Sequence, residues 1–171
     1  MEVCKMRRVL LYMFLLLPSL LFSAEAVPFL KPSFLNLKED FEEAKREKKF
    51  LFLMFHQEGC PFCDKMRKVT FQDRKVQEYF TRHFYMVEID IRGSNEVVDL
   101  EGKRLTEKQF SLKHGVRLTP VFLFFDLEGR VVAKVPGYIE PQEFILLGRY
   151  VVEGHYRSKN LVQFLRENKG R

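Results

Sequence analysis

Glycine and proline are scarce in this chain, at 9 and 7 of 171 residues. With 46% of the residues hydrophobic, that excludes a collagen-like fibre, a low-complexity linker and a disordered tail. Cysteine is scarcer still: three residues are too few for a disulfide-stapled mini-scaffold. No apolar run reaches the roughly 20 residues that a membrane-spanning helix needs. No basic stripe alternates with aromatic residues, so nucleic-acid binding is not expected. The excess of six positive charges is interleaved with acids, as in Glu42-Glu43-Ala44-Lys45-Arg46-Glu47-Lys48-Lys49, and reads as a solvated helical face. No internal repeat is visible. A domain of this size buries roughly 68–70% of its unfolded surface. One core can therefore hold it together, and a cysteine pair is free for chemistry.

The chain opens with a targeting pattern. Lys5, Arg7 and Arg8 precede an apolar run from Val9 to Phe22, interrupted by Tyr12, Pro18 and Ser19. Ala24-Glu25-Ala26 then places small residues around a cleavage site. We read residues 1–26 as a secretory signal peptide, with retention as an uncleaved membrane anchor as the alternative. The mature chain would carry 26 basic against 21 acidic residues and only Cys60 and Cys63. Export would put that pair in an oxidising compartment.

Residues 27–36 form a lead-in with Pro28 and Pro32, and residues 37–171 form the domain. Asn36 and Glu39 make an N-cap pair for a charged helix reaching about Lys48. Phe50-Leu51-Phe52-Leu53-Met54-Phe55 is a continuous apolar run of strand length, the pattern of a strand buried on both faces. Past the cysteines, Met66, Val69 and Phe71 follow a helical pattern, and Asp73 caps another helix carrying Val76, Tyr79 and Phe80. Residues 84–91 alternate as a strand, and residues 92–105 read as a loop with a small hairpin. Thr106 and Gln109 cap a short helix ending at Gly115. Residues 121–126 form the next strand, turned at Glu128-Gly129 into an antiparallel partner at 130–135. Helices over about 141–153 and 158–168 close the chain. The order is β-α-β-α-β-β-α, an α/β class with a central mixed sheet flanked by helices on both faces.

Cys60-Pro61-Phe62-Cys63 stands where a buried strand passes into a helix. The thiolate is the reactive form of cysteine, and the unpaired amides of a helix N-terminus stabilise it. Pro61 fits the first turn because its missing N–H has no partner to lose there. Cys63 lies one turn deeper, within reach of Cys60. Cys60 is therefore expected to attack a substrate disulfide and Cys63 to resolve the mixed disulfide. Phe62, between them, is an apolar contact for substrate. A zinc half-site would need two more ligands, and His56, His83, His114 and His155 lie at no metal-like spacing. Haem attachment would need His after the second cysteine, where Asp64 stands. A structural disulfide over so short a loop removes little unfolded-state entropy. The 18 Phe residues are expected to fill the core. His56, which ends the strand, is a candidate to lower the thiol pKa in its charged form.

These residues resemble the thioredoxin superfamily, over about residues 37–165. The motifs that carry the resemblance are Gln57-Glu58-Gly59-Cys60-Pro61-Phe62-Cys63-Asp64-Lys65-Met66, Phe71-Gln72-Asp73, Tyr79-Phe80, Asp90-Ile91, Thr119-Pro120, Phe124-Phe125-Asp126 with Gly129, and Pro136-Gly137-Tyr138. The likeness is greatest to exported single-domain thioredoxins of the SoxW kind. It implies a thioredoxin-like fold, a redox-active disulfide between Cys60 and Cys63, and a cis peptide bond before Pro120 that faces the cysteines. Thr119 would bind an extended substrate segment through its backbone. No metal or cofactor is implied. The chain departs from thioredoxins proper at Met54, where they carry a buried Asp, and in having Pro-Phe between the cysteines. Proton transfer at Cys63 then falls to another group or to water, with Glu58 and Glu88 as candidates. Asp64 and Glu58 would oppose thiolate formation, and Lys65 would favour it.

The resulting expectation is a monomeric periplasmic thiol:disulfide oxidoreductase acting mainly as a reductant. Its substrates would be disulfides of exported proteins, and its electrons would come from a membrane-embedded thiol donor. A disulfide oxidase or isomerase is the alternative within the class. A non-enzymatic thiol module binding copper or a partner protein is the alternative outside it.

Overall fold

The computed structural model describes residues 26–168. All of the expected signal peptide except Ala26 lies outside the described residues.

The first helix, α1 (Leu37–Arg46), starts where the Asn36 side chain accepts from the Glu39 amide. Strand β1 (Phe50–His56) follows, then α2 (Pro61–Lys68), a 3-10 turn (Thr70–Gln72) and α3 (Arg74–His83) capped by Asp73. Next come β2 (Phe84–Asp90), the short strands β3 (Glu96–Val98) and β4 (Arg104–Thr106), and α4 (Glu107–Lys113). Thr106 and Gln109 close a full capping box on α4. The chain ends with β5 (Val121–Phe125), β6 (Val131–Pro136), α5 (Pro141–Val152), a second 3-10 turn (His155–Arg157) and α6 (Leu161–Asn168).

Four strands form one sheet in the order β2-β1-β5-β6. β1 and β2 run parallel because a helical crossover joins them; β5 is antiparallel to both β1 and β6. β3 and β4 pair separately as the small hairpin.

The apolar runs of β1 and β5 have a direct physical use. Successive side chains of a strand point to opposite faces, so an unbroken run serves two cores. Phe52, Met54, Phe122 and Phe124 pack with residues of α2, α3, α5 and α6. Leu51, Leu53, Phe55, Val121 and Leu123 pack on the other face against Leu37, Phe41 and Ala44 of α1 and Phe110 of α4. The first core is rich in packed rings, most of them edge-on or tilted and a few stacked: Phe52 lies on Phe124 at 4.8 Å between centroids, and Phe80 lies on Phe144 at 4.2 Å. A Cβ on Gly148 would stand 2.9 Å from the Tyr79 ring, so only glycine lets α5 approach α3 this closely.

Two details differ from the sequence pattern. Helix α2 stops at Lys68, leaving Val69 43% exposed, and Phe71 reaches the core from the 3-10 turn instead. The tighter turn swings Thr70 and Phe71 inward in place of Val69. The lead-in also does more than lead in. Phe29 is 1% exposed and packs on Phe52, Phe71 and Phe80. The Met86 amide donates to the Phe29 carbonyl and the Lys31 amide to the Met86 carbonyl, both at 2.8 Å, so the segment covers the edge of β2.

Candidate active site

The site begins at the end of β1. Gly59 takes a left-handed conformation (φ +67°) that swings the chain from strand into helix, with open space around it. Cys60 is then the N-cap of α2, in extended conformation, and Pro61 opens the first turn. The Cys60 Sγ accepts the Cys63 amide at 3.1 Å, a role that Ser or Asp usually fills at a helix start. Cys60 and Cys63 form a disulfide. Cys60 is 5% exposed and Cys63 fully buried, so Cys60 is the more accessible of the two. Phe62 stands beside it, 58% exposed.

The second part comes from the loop before β5. The Thr119–Pro120 peptide bond is cis. Thr119 Oγ1 donates to Cys60 Sγ at 3.3 Å, across 59 positions of sequence. The Pro120 carbonyl accepts the Gly137 amide at 2.8 Å, which joins this loop to the chain leaving β6. Cys60 thus meets both Cys63 and Thr119, Pro120 is anchored through its backbone, and Pro61 and Phe62 form the exposed rim.

The model of the thioredoxin-like domain family matches residues 37–152, more than half of the chain. The chain belongs to this family. It carries the fold of a thioredoxin-like thiol:disulfide oxidoreductase together with a C-x-x-C disulfide. Among solved structures, a thioredoxin-fold protein from Helicobacter pylori is similar at 20% identity and a TM-score of 0.61, over 70% of this chain and 79% of that one. A putative disulphide-isomerase from Bacteroides thetaiotaomicron is similar at 28% identity and 0.55, over 70% and 89%. The oxidoreductase DsbH is similar at 19% identity and 0.53, over 78% and 92%. No curated protein matches the sequence at a significant level.

The charged neighbours of this thioredoxin-like site are mostly engaged elsewhere. The Lys65 ammonium lies 3.8 Å above the Tyr138 ring and 3.9 Å from a Glu140 carboxylate oxygen. Asp64 is exposed and pairs with Arg67 at 3.5 Å. Glu88 accepts two bonds from the Arg67 guanidinium, at 2.8 and 3.0 Å. It stands beside Met54 in the β1–β2 register, and that fully buried thioether occupies the position where an Asp was lacking. Glu58 is exposed, and His56 ends β1 with its carbonyl accepting the Ile91 amide. Among the described residues no group of three or more His, Cys, Asp or Glu side chains converges.

Sequence reasoning named Gly137 and Tyr138 only as part of a motif, and gave Thr70 no role. The structure places Ile139 against Met66 and Thr70, close behind the cysteines in the chain. No spacing rule joins residues 69 positions apart, so this contact had no local signal.

Proposed function

We propose that the protein is an exported thiol:disulfide oxidoreductase, working in the periplasm mainly as a reductant of disulfides in other exported proteins. The observation that carries this reading is the Cys60 sulfur at the start of α2, where the Cys63 amide and the Thr119 hydroxyl both donate to it. Two donors and a helix N-terminus favour a negative sulfur, the form that attacks.

In the reducing direction the Cys60 thiolate attacks one sulfur of the substrate disulfide. The Cys60–substrate bond forms as the substrate S–S bond breaks, and one substrate thiolate leaves. Cys63 then gives up its proton and attacks Cys60, releasing the second substrate thiol and closing the Cys60–Cys63 disulfide. Two electrons and two protons pass to the substrate. A membrane-embedded thiol donor would return the pair to the dithiol state. Phe62 and Pro61 would contact apolar residues beside the substrate cysteine, and the Thr119 backbone would pair with its extended chain. Residues 1–26 would direct export.

Insulin disulfide reduction by the wild type and by Cys60→Ser tests the activity: turnover lost with the substitution supports it, and equal rates would overturn it. Cys63→Ser should hold mixed disulfides with exported proteins and so identify the substrates. A reduction potential near about −120 mV with a mostly oxidised cellular pool would reverse the direction to an oxidase.

A further inference from the structure

The stretch Gly137-Tyr138-Ile139 is held at both ends. At one end the Gly137 amide donates to the Pro120 carbonyl at 2.8 Å. At the other, both backbone groups of Ile139 are taken up by side chains that follow Cys63 in the chain. The Ile139 amide donates to Met66 Sδ at 3.3 Å, and Thr70 Oγ1 donates to the Ile139 carbonyl at 2.7 Å. Met66, Thr70 and Ile139 are all buried, so no solvent replaces a lost partner. Between the two ends, the Tyr138 ring sits under the Lys65 ammonium.

These contacts close a ring. It leaves Cys60 through the hydroxyl of Thr119, crosses Pro120 to Gly137, runs to Ile139, and returns through Thr70 and Met66 to the segment that begins at Cys60. The Thr119–Cys60 contact is the one link that reaches a reacting atom.

We propose that Thr70 is a positioning residue for the thiol chemistry, with Met66 as its companion. By fixing Ile139 they hold the cis-proline loop at the separation where Thr119 donates to Cys60 Sγ. A space-filling role would need only the volume of the side chain, which Val supplies equally. The hydroxyl, together with Met66 Sδ, is what ties the loop to the cysteine segment. This inference rests on the reading of Cys60 as the attacking thiol.

The test is the pH dependence of Cys60 alkylation in the reduced full-length chain, followed by mass spectrometry so that Cys4 and Cys63 are scored separately. Thr70→Val should shift the alkylation midpoint upward and slow the reaction at neutral pH by roughly tenfold, the loss expected for one hydrogen bond to a charged sulfur. Thr70→Ser keeps the hydroxyl and should stay near the wild-type curve. In a Thr119→Val background Thr70→Val should change little, because the link it acts through is already gone. If Thr70→Val does not fold, Met66→Leu removes the other anchor at similar volume and should shift the midpoint in the same direction. A folded Thr70→Val with the wild-type midpoint, or an undiminished effect in the Thr119→Val background, would overturn the positioning role. If the wild type itself alkylates no faster than free cysteine, the reading of Cys60 fails first, and the two failures are distinct.

Discussion

Thr119 Oγ1 lies 3.3 Å from Cys60 Sγ and donates to it. The relationship is chemical as well as spatial. A hydroxyl donor gains strength when its acceptor becomes an anion, so this contact favours the thiolate over the thiol. Thr119→Val keeps the shape and removes the donor. Alkylation of Cys60 at neutral pH is expected to slow about tenfold, while Thr119→Ser stays close to wild type. Rates measured across a pH series check this, and an unchanged midpoint in Thr119→Val would show that the hydroxyl does not act on the sulfur.

Phe29 ties the lead-in to the ring cluster of Phe52, Phe71 and Phe80. Phe29→Ala opens a cavity in that cluster and frees the segment covering β2. The expected cost is about 3 kcal/mol, read as a lower denaturant midpoint. The neutral-pH alkylation rate of Cys60 should be unchanged, since no part of the disulfide site is removed.

Gly93 lies beneath the carboxylate of Glu107. A Cβ there would stand 2.0 Å from Glu107 Oε2. That carboxylate is held in place, because Oε1 accepts the Asp90 amide at 2.9 Å and Oε2 accepts the Asn95 side-chain amide at 3.0 Å. Gly93→Ala is therefore expected to cost roughly 2 kcal/mol or more, seen as a lower melting temperature. A melt matching wild type would show that the loop yields easily.

Two buried carboxylates shape the acid limb of stability. Burial pushes the Asp126 carboxyl upward, but the Arg130 amide and guanidinium and the Glu128 amide outweigh it and hold its pKa below the ordinary 3.8. Burial likewise raises Asp99, and the Lys113 ammonium and Lys103 amide overcome it. The unfolded chain then binds these protons more tightly than the folded one. The stability these two carboxylates contribute is fully present above about pH 4 and drains as pH falls through their lowered folded values. His114 adds a window at higher pH. Burial first, and the Lys113 charge second, hold its pKa below 6.5, so stability should also decline as pH drops below about 6.5. Thermal melts across pH check both windows: Asp126→Asn should flatten the lower one and His114→Gln the upper.

Local signals in the sequence carried much of this architecture. The run Phe50–Phe55 marked a strand buried on both faces, and the turn at Glu128-Gly129 marked the β5–β6 hairpin. Thr106 and Gln109 marked the start of α4. Each of these signals lies within a few consecutive residues, where backbone preference and side-chain periodicity act directly. The helical pattern through Val69 misled for the same reason: periodicity does not show where a helix tightens into a 3-10 turn.

By itself, then, the sequence determined the strands, most of the helices and the cysteine pair at a strand-to-helix junction. All of these follow from neighbouring residues and from the requirement that apolar side chains leave water. Only the tertiary structure decided which distant groups meet Cys60. The cis form of Thr119–Pro120 is one of two isomers that an X-Pro bond permits, and chain spacing does not choose between them. The Thr119 contact with Cys60 and the grip of Met66 and Thr70 on Ile139 join residues 59 to 73 positions apart. Such pairs arise from packing of the whole sheet and its helices, which satisfies buried amides and carbonyls wherever the fold brings a partner within reach.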